Sequence, residues 1–275
     1  SRTLRKPQHP VQITTIAHRS CRFFKTARAI ATSVLSEDSE IVFLHGFNAS
    51  ILGMLLRPLL PSNVKLVSTF HGTYPAKSLV SHLKGAIFDS LELVVFRNFV
   101  NRVIAVSEFS AANLALRGLP SDKINVVHNG ISKTAPSISW YERRENSVDL
   151  GVPVIFITVS RLAPEKDIDI LITAFSKLID QGTCARLMVV GDGPLRSNLL
   201  SLVERLSLKE TVEFFGNRND VADLLATADV FVMSSSQENH SIAVLESMRA
   251  SLPSVLTDVG GNSESVINDV EGLFV

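Results

Sequence analysis

The chain has 275 residues, 45% of them hydrophobic, with 27 Lys+Arg against 27 Asp+Glu. This excludes a disordered tail, a collagen-like fibre and a uniformly basic nucleic-acid binder. The neutral total divides unevenly: residues 1–150 carry 18 cations and 10 acids, and the remainder carry 9 and 17, a split that points to two modules with different surfaces.

Length supports that division, because chains near this size stop growing a single core. Cys21 and Cys184 lie far apart in sequence, which fits a reduced, cytoplasmic protein better than a disulfide scaffold. No apolar run reaches the roughly 18 residues of a membrane span, and no signal peptide is visible. The chain starts on Ser1 and stops at Val275 in what reads as a strand, as a piece of a longer chain would.

In chain order, short β-branched runs predict buried parallel strands at 11–16, 41–44, 64–70, 102–106 and 124–127. Helices are expected at 20–35, 77–98 and 108–117. The first places Phe23, Ala27, Ile30, Ala31 and Val34 on one face. Gly118 closes the third. A polar stretch from 131 to 151 contains Pro136 and Trp140 and reads as a linker. The division is residues 1–135, a linker at 136–151, and residues 152–275. The alternation then restarts, with strands at 154–159, 186–190, 212–215, 230–233, 254–257 and 273–275. Helices are expected at 167–180, 195–206, 220–226 and 241–250. Two doubly wound parallel sheets facing each other follow from this order, with ligands at the carboxyl ends of the strands.

The loop after the strand at 154–159 holds Arg161 and Lys166 just before a helix. A guanidinium, an ammonium and a helix dipole together suit a diphosphate, although two solvated surface cations would look the same. The next loop, Gly191-Asp192-Gly193-Pro194, permits close backbone approach, or simply makes a tight turn. It lacks the third Gly of a dinucleotide fingerprint. Glu238 and Glu246 lie eight positions apart, the first expected in a loop and the second within the following helix beside Ile242 and Leu245. Sugar and ribose hydroxyls would satisfy both carboxylates, and two solvated acids are the alternative. His45-Gly46 and His71-Gly72 follow strands of the first half and would reach a cleft or cap their loops. Asp167 and Asp169 fall in a first helical turn, where they complement the dipole, with no third metal ligand nearby.

The order of these motifs resembles the retaining glycosyltransferases of family 4, which have the GT-B fold. Ser160-Arg161-Leu162 through Glu165-Lys166 resembles the family's G-R-L-x-x-E-K-G, and Val190 to Pro194 its V-G-x-G-P. Glu238 and Glu246 fit E-x7-E. Thr257-Asp258 through Gly260-Gly261 to Glu264 resembles T-D-x-G-G-x-x-E. In the first half, Ser68 to Gly72, Ala105 to Ser107 and Val126 to Asn129 resemble the matching strands. The resemblance implies a metal-independent, cofactor-free, retaining enzyme that uses a UDP- or GDP-linked sugar in surface polysaccharide, lipopolysaccharide or glycolipid synthesis. By the same resemblance Arg161 and Lys166 would hold the donor diphosphate, Glu246 the ribose, and Glu238 the transferred sugar. The backbone amides of Asn239 and His240 would face that sugar, His71 would reach it from the first domain, and Asn217 and Arg218 would lie by the base.

Six positions depart from the pattern. Asn239-His240-Ser241 fills the space between the acids, and Ser160, Asp167 and Ser251 stand where the family has Gly. A first strand with a Gly-rich acceptor loop, and a final helical segment, are also missing from the pattern. The alternatives to a transferase are an inactive or binding-only relative and a sugar-nucleotide epimerase. Seven cations, Arg2, Arg5, Lys6, Arg19, Arg22, Lys25 and Arg28, precede the first acid. They would set the first domain against an anionic membrane, on its cytoplasmic face, or against a lipid-diphosphate acceptor. Nucleic acid is not expected as a partner.

Overall fold

A computed structural model of the chain describes residues 23–72, 79–132 and 152–275, with the backbone alone at 79–84. The expected strand at 11–16 and the linker lie outside the described residues.

The first unit contains α1 (Phe23–Ser36), β1 (Ile41–His45), α2 (Phe47–Leu56), β2 (Lys65–Phe70), α3 (Leu79–Asn98), β3 (Arg102–Ala105), α4 (Glu108–Leu116) and β4 (Ile124–Val126). Its four described strands form a parallel sheet in the order β1-β2-β3-β4. Helix α2 has no counterpart in the sequence expectations. Its sequence, FNASILGMLL, is apolar on nearly every side, so no 3.6-residue period announces it. It packs against α1, α3, β1 and β2, and a helix covered on several sides has no polar face to display. On α1 the buried residues are Thr26, Ala27, Ala31 and Val34, while Phe23 is half-exposed, so the stripe is narrower than its sequence suggests.

The second unit contains β5 (Val154–Val159), α5 (Ile168–Asp180), β6 (Ala185–Val190), α6 (Arg196–Arg205), β7 (Val212–Gly216), α7 (Val221–Thr227), β8 (Val230–Met233), α8 (Ile242–Arg249), β9 (Ser254–Leu256) and β10 (Gly272–Phe274). All pairings are parallel, in the order β10-β9-β8-β5-β6-β7. The two-residue strand period divides the core between the two faces of this sheet. Ile157, Met188, Val190 and Phe231 face Leu225 of α7 and Val244 of α8. Leu187 and Val189 face Leu171, Ile172 and Phe175 of α5 and Leu199 and Val203 of α6. Strands buried on both faces read as near-continuous apolar runs, which is why periodicity located them so closely.

Chain order reverses between β5 and β8. One side of the sheet runs outward through β6 and β7, the other through β9 and β10. In doubly wound sheets a crevice opens at the carboxyl ends of the strands flanking such a switch point. The loops after β5 and β8 therefore carry the site.

Candidate functional site

The loop after β5 runs from Ser160 through a short 3-10 turn, Pro164–Lys166, to α5. The loop after β8 runs from Ser234 to Ser241, whose hydroxyl caps α8 by accepting the Val244 N–H. The two are tied together. Ser234 Oγ donates to the carbonyls of Lys166 and Asp167, and the Ser236 N–H donates to the Glu165 carbonyl. At their centre Lys166 Nζ donates to Glu238 Oε1 at 2.6 Å, and Ser235 Oγ donates to the same oxygen at 2.8 Å. The Lys166 and Glu238 side chains are 20% and 9% exposed. A cation and a carboxylate expected to touch the two ends of one donor thus hold each other in place.

Arg161 is aimed by Glu165. Its guanidinium donates to Glu165 while its own side chain stays 66% exposed. Burial on its own would raise the Glu165 pKa. Its backbone N–H, Arg161 and Lys166 outweigh burial and hold the carboxyl below the usual range. The sequence reading gave Glu165 no role, although it stands inside the quoted motif.

Glycines shape the floor. A Cβ on Gly191 would lie 1.9 Å from the Ser160 carbonyl oxygen, and one on Gly193 2.4 Å from that of Leu162. These residues let one loop lie on the next, beyond what a plain turn requires. Gly260, with φ +59°, does the same beneath Glu238, where a Cβ would meet the Glu238 carbonyl oxygen at 1.6 Å. Glu246 lies on α8 on the side of Ile242, which is 51% exposed, whereas Val244 and Ser247 are buried. Glu246 is itself half-buried, between exposed Ile242 and buried Ser247 and Ala250, so it borders the apolar stripe as expected, although Ile242 is not part of that stripe. Asp167 also departs from expectation. It precedes α5 with φ +44° and does not belong to the first turn. A left-handed backbone accounts for the Gly that the family pattern places there. Arg218 pairs with Asp220 on the surface beyond β7, and Asn217 beside it is exposed.

The first unit meets this loop cluster directly. Asn239 lies against Gly72, where a Cβ would fall 1.9 Å from its Nδ2, and Asn239 Oδ1 accepts from Ser110 Oγ. Gly72 adjoins His71, so the residue after Glu238 touches the residue after His71. The N–H groups of Asn239 and His240 have no protein acceptor among the described residues. His71 Nε2 and His45 Nε2 are 3.1 Å apart with the rings edge-on, and burial, then the His45 charge, lower the His71 pKa. His128, Asn129 and Glu264 complete the contact. The sequence signal for these three was membership in quoted motifs, with no chemistry assigned.

The architecture and this site define a GT-B glycosyltransferase fold. Two family models between them match nearly the whole chain: Glycosyltransferase Family 4 over residues 2–134 and Glycosyl transferases group 1 over residues 142–275. The chain belongs to this family of glycosyl transferases. It is 33% identical over 163 residues to an uncharacterized glycosyltransferase of Methanocaldococcus jannaschii, covering 57% of this chain and 42% of that protein. It is 26% identical over 245 residues to the Escherichia coli UDP-Gal:alpha-D-GlcNAc-diphosphoundecaprenol alpha-1,3-galactosyltransferase, covering 87% and 63%. In fold it is similar to Anabaena HepE solved in complex with UDP-glucose, with TM-score 0.75, 22% identity, and 90% and 67% of the two chains covered. The chain thus spans less than two thirds of the length of these curated relatives, 42% of one and 63% of the other.

Proposed function

We propose that this chain carries the donor site of a retaining, metal-independent glycosyltransferase that moves a sugar from a nucleoside-diphosphate donor to a glycan or lipid-linked acceptor. The Lys166–Glu238 pair at the switch point of the second sheet carries the reading. On donor entry the diphosphate oxygens compete for Lys166 and Arg161, and sugar hydroxyls donate to Glu238. Both groups are already fixed, so little reorganisation accompanies the charge that develops on the leaving diphosphate. Fixed donors of this kind are worth about 10²–10³ in rate each. Glu246, half-buried on α8, would accept from ribose hydroxyls. The uncommitted N–H groups of Asn239 and His240 are available to the sugar. His71, kept neutral by burial, offers it one nitrogen across the cleft.

The galactosyltransferase relative acts, by its name, on a diphosphoundecaprenol-linked sugar, and the basic first half suits such a diphosphate. Of its seven leading cations, Lys25 and Arg28 are described; both are exposed on α1, where Phe24 is 75% exposed. No helix among the described residues is long and apolar enough to cross a membrane. Contact of this face with an anionic membrane would run through Lys25, Arg28 and Phe24.

The test is nucleotide release from a panel of UDP- and GDP-linked sugars, using the full-length protein. Release that falls about 10²-fold in Lys166→Ala and in Glu238→Ala supports the reading. Absence of release with every donor, each left unconverted, refutes the enzyme and leaves the binding-only relative. Conversion of the donor to an epimeric nucleotide-sugar, with no net release of nucleotide, indicates the epimerase.

A further inference from the structure

The contact between the two units is built around one carboxylate that the donor chemistry does not use. Glu264 belongs to the second unit, in the short turn Asn262–Glu264 after β9. Its Oε2 accepts from the Glu108 N–H at 2.7 Å and its Oε1 from the Phe109 N–H at 2.8 Å, both in the first turn of α4 in the first unit. Its Oε2 also meets His128 Nε2 at 2.9 Å. Ser107 caps the third N–H of that turn, at Ser110, from within the first unit. Helix α4 therefore has two caps, one of its own and one lent by the opposite domain. Burial would raise the Glu264 pKa, but the Phe109 and Glu108 N–H groups and His128 outweigh it and hold the carboxyl low.

The neighbours of this cap are the residues that follow Glu238. The His240 ring lies against His128 with centroids 5.0 Å apart. Its Nε2 is 3.2 Å from Ser265 Oγ, next to Glu264, and its carbonyl accepts from Asn129 Nδ2 at 2.8 Å. Asn239 Oδ1 accepts from Ser110 Oγ in the capped turn itself. Gly261 permits the approach, since a Cβ there would come within 2.9 Å of Ser107 Cβ. Asn239 and His240, two of the positions where this chain departs from the family pattern, thus cross to the other domain.

We infer that Glu264 is a positioning residue: by capping α4 across the domain boundary and holding His128 against His240, it sets the Glu238-Asn239-His240 loop opposite His71. The route is direct. Loss of the Glu264 cap loosens the first turn of α4, to which Asn239 is tied through Ser110. Release of His128 frees the His240 ring. The amides facing the sugar then lose their fixed direction, while Arg161 and Lys166, on the β5 loop, keep theirs. The predicted signature is a split: diphosphate affinity is retained while turnover falls. The kinetic arm of this inference rests on the transferase reading; the structural arm does not.

The experiment compares wild type, Glu264→Ala, Glu264→Gln and His240→Phe in the full-length protein. Amide hydrogen exchange is read without ligand, and UDP and GDP are the binding probes. In Glu264→Ala, exchange at Glu108, Phe109 and Val244, whose N–H donates to Ser241 Oγ just after the 238–240 loop, is expected to speed up about tenfold while the β5–β6 core is unchanged. The dissociation constant for the nucleotide stays within about twofold and kcat falls about 10²-fold, the scale of a reacting group displaced by about an ångström. Glu264→Gln keeps one of the two acceptor oxygens and turns an NH2 toward the other N–H, so it lands between the two. His240→Phe keeps the α4 cap and its exchange rates but lowers kcat. Unchanged exchange at Val244 in a folded Glu264→Ala overturns the inference, as does a parallel loss of nucleotide affinity and kcat. If wild type releases no nucleotide from any donor, the transferase reading fails and hydrogen exchange alone decides the clasp.

Discussion

Lys166→Ala should damage the fold before any donor is added. The Lys166 and Glu238 side chains are 20% and 9% exposed and meet at 2.6 Å. Exposed ion pairs contribute about 1 kcal/mol or less, whereas stripping one partner from a buried pair costs about 3–5 kcal/mol because the survivor stays charged and desolvated. This pair lies nearer the buried limit, and Glu238 keeps a hydrogen bond from Ser235 after the lysine is gone. The expected cost of Lys166→Ala is about 2–3 kcal/mol. Glu238→Gln leaves the more exposed partner and should cost about 1–2 kcal/mol. Removing both charges together leaves no orphan, so the double variant should cost about 2 kcal/mol, roughly 2 less than the sum of the single changes. Urea unfolding followed by far-UV circular dichroism measures all four proteins without reference to activity. Additive losses, within about 0.5 kcal/mol, would refute the coupling on which the donor site is built.

Three other outcomes follow from the same geometry. Gly260→Ala forces a Cβ into the Glu238 carbonyl oxygen at a φ of +59° and should cost about 3 kcal/mol or more. Gly182→Ala at φ +84° meets nothing within 4 Å and should cost about 1 kcal/mol, so equal thermal shifts in the two would contradict the packing argument. Ser251 and Asp167 adopt φ of +59° and +44° where the family pattern has Gly. Each change to Gly should therefore stabilise by about 0.5–1 kcal/mol, and a lowered melting temperature would count against the left-handed backbone. Burial raises Glu92 on α3 to about 7 from 4.5; a hydrogen bond from Ser50 opposes this, the Asp89 charge adds to it and Arg117 offsets it. Between pH 4.5 and 7 the folded chain keeps a proton that the unfolded chain gives up. Stability should therefore fall as pH rises through that window, by about 3 kcal/mol in total, and Glu92→Gln should abolish the slope. Urea midpoints at pH 5 and pH 8 that move equally in both proteins would show Glu92 to be ionised throughout.

Sequence alone went furthest where burial is two-sided. The strands of the second sheet are near-continuous apolar runs, because both of their faces meet helices. Their ends, and the turns between them, could be placed to within a residue or so. The amphipathic helices α5 and α6 were legible for the complementary reason, one apolar stripe each. Helix α2, apolar all round, was invisible to the same test. Motif order supplied Arg161, Lys166, Glu238 and Glu246, since charged residues at strand ends stand out from an apolar background. What sequence spacing does not encode is partnership. Lys166 and Glu238 are 72 positions apart, and only the reversal of strand order between β5 and β8 brings their loops together. Glu264 and Glu108 are 156 apart, and only the approach of two domains turns a carboxylate into the cap of a helix it does not belong to. Local pattern fixed which residues are buried and which carry charge, because those follow from neighbours along the chain. Which charge meets which was decided by the long-range packing of one sheet beside another.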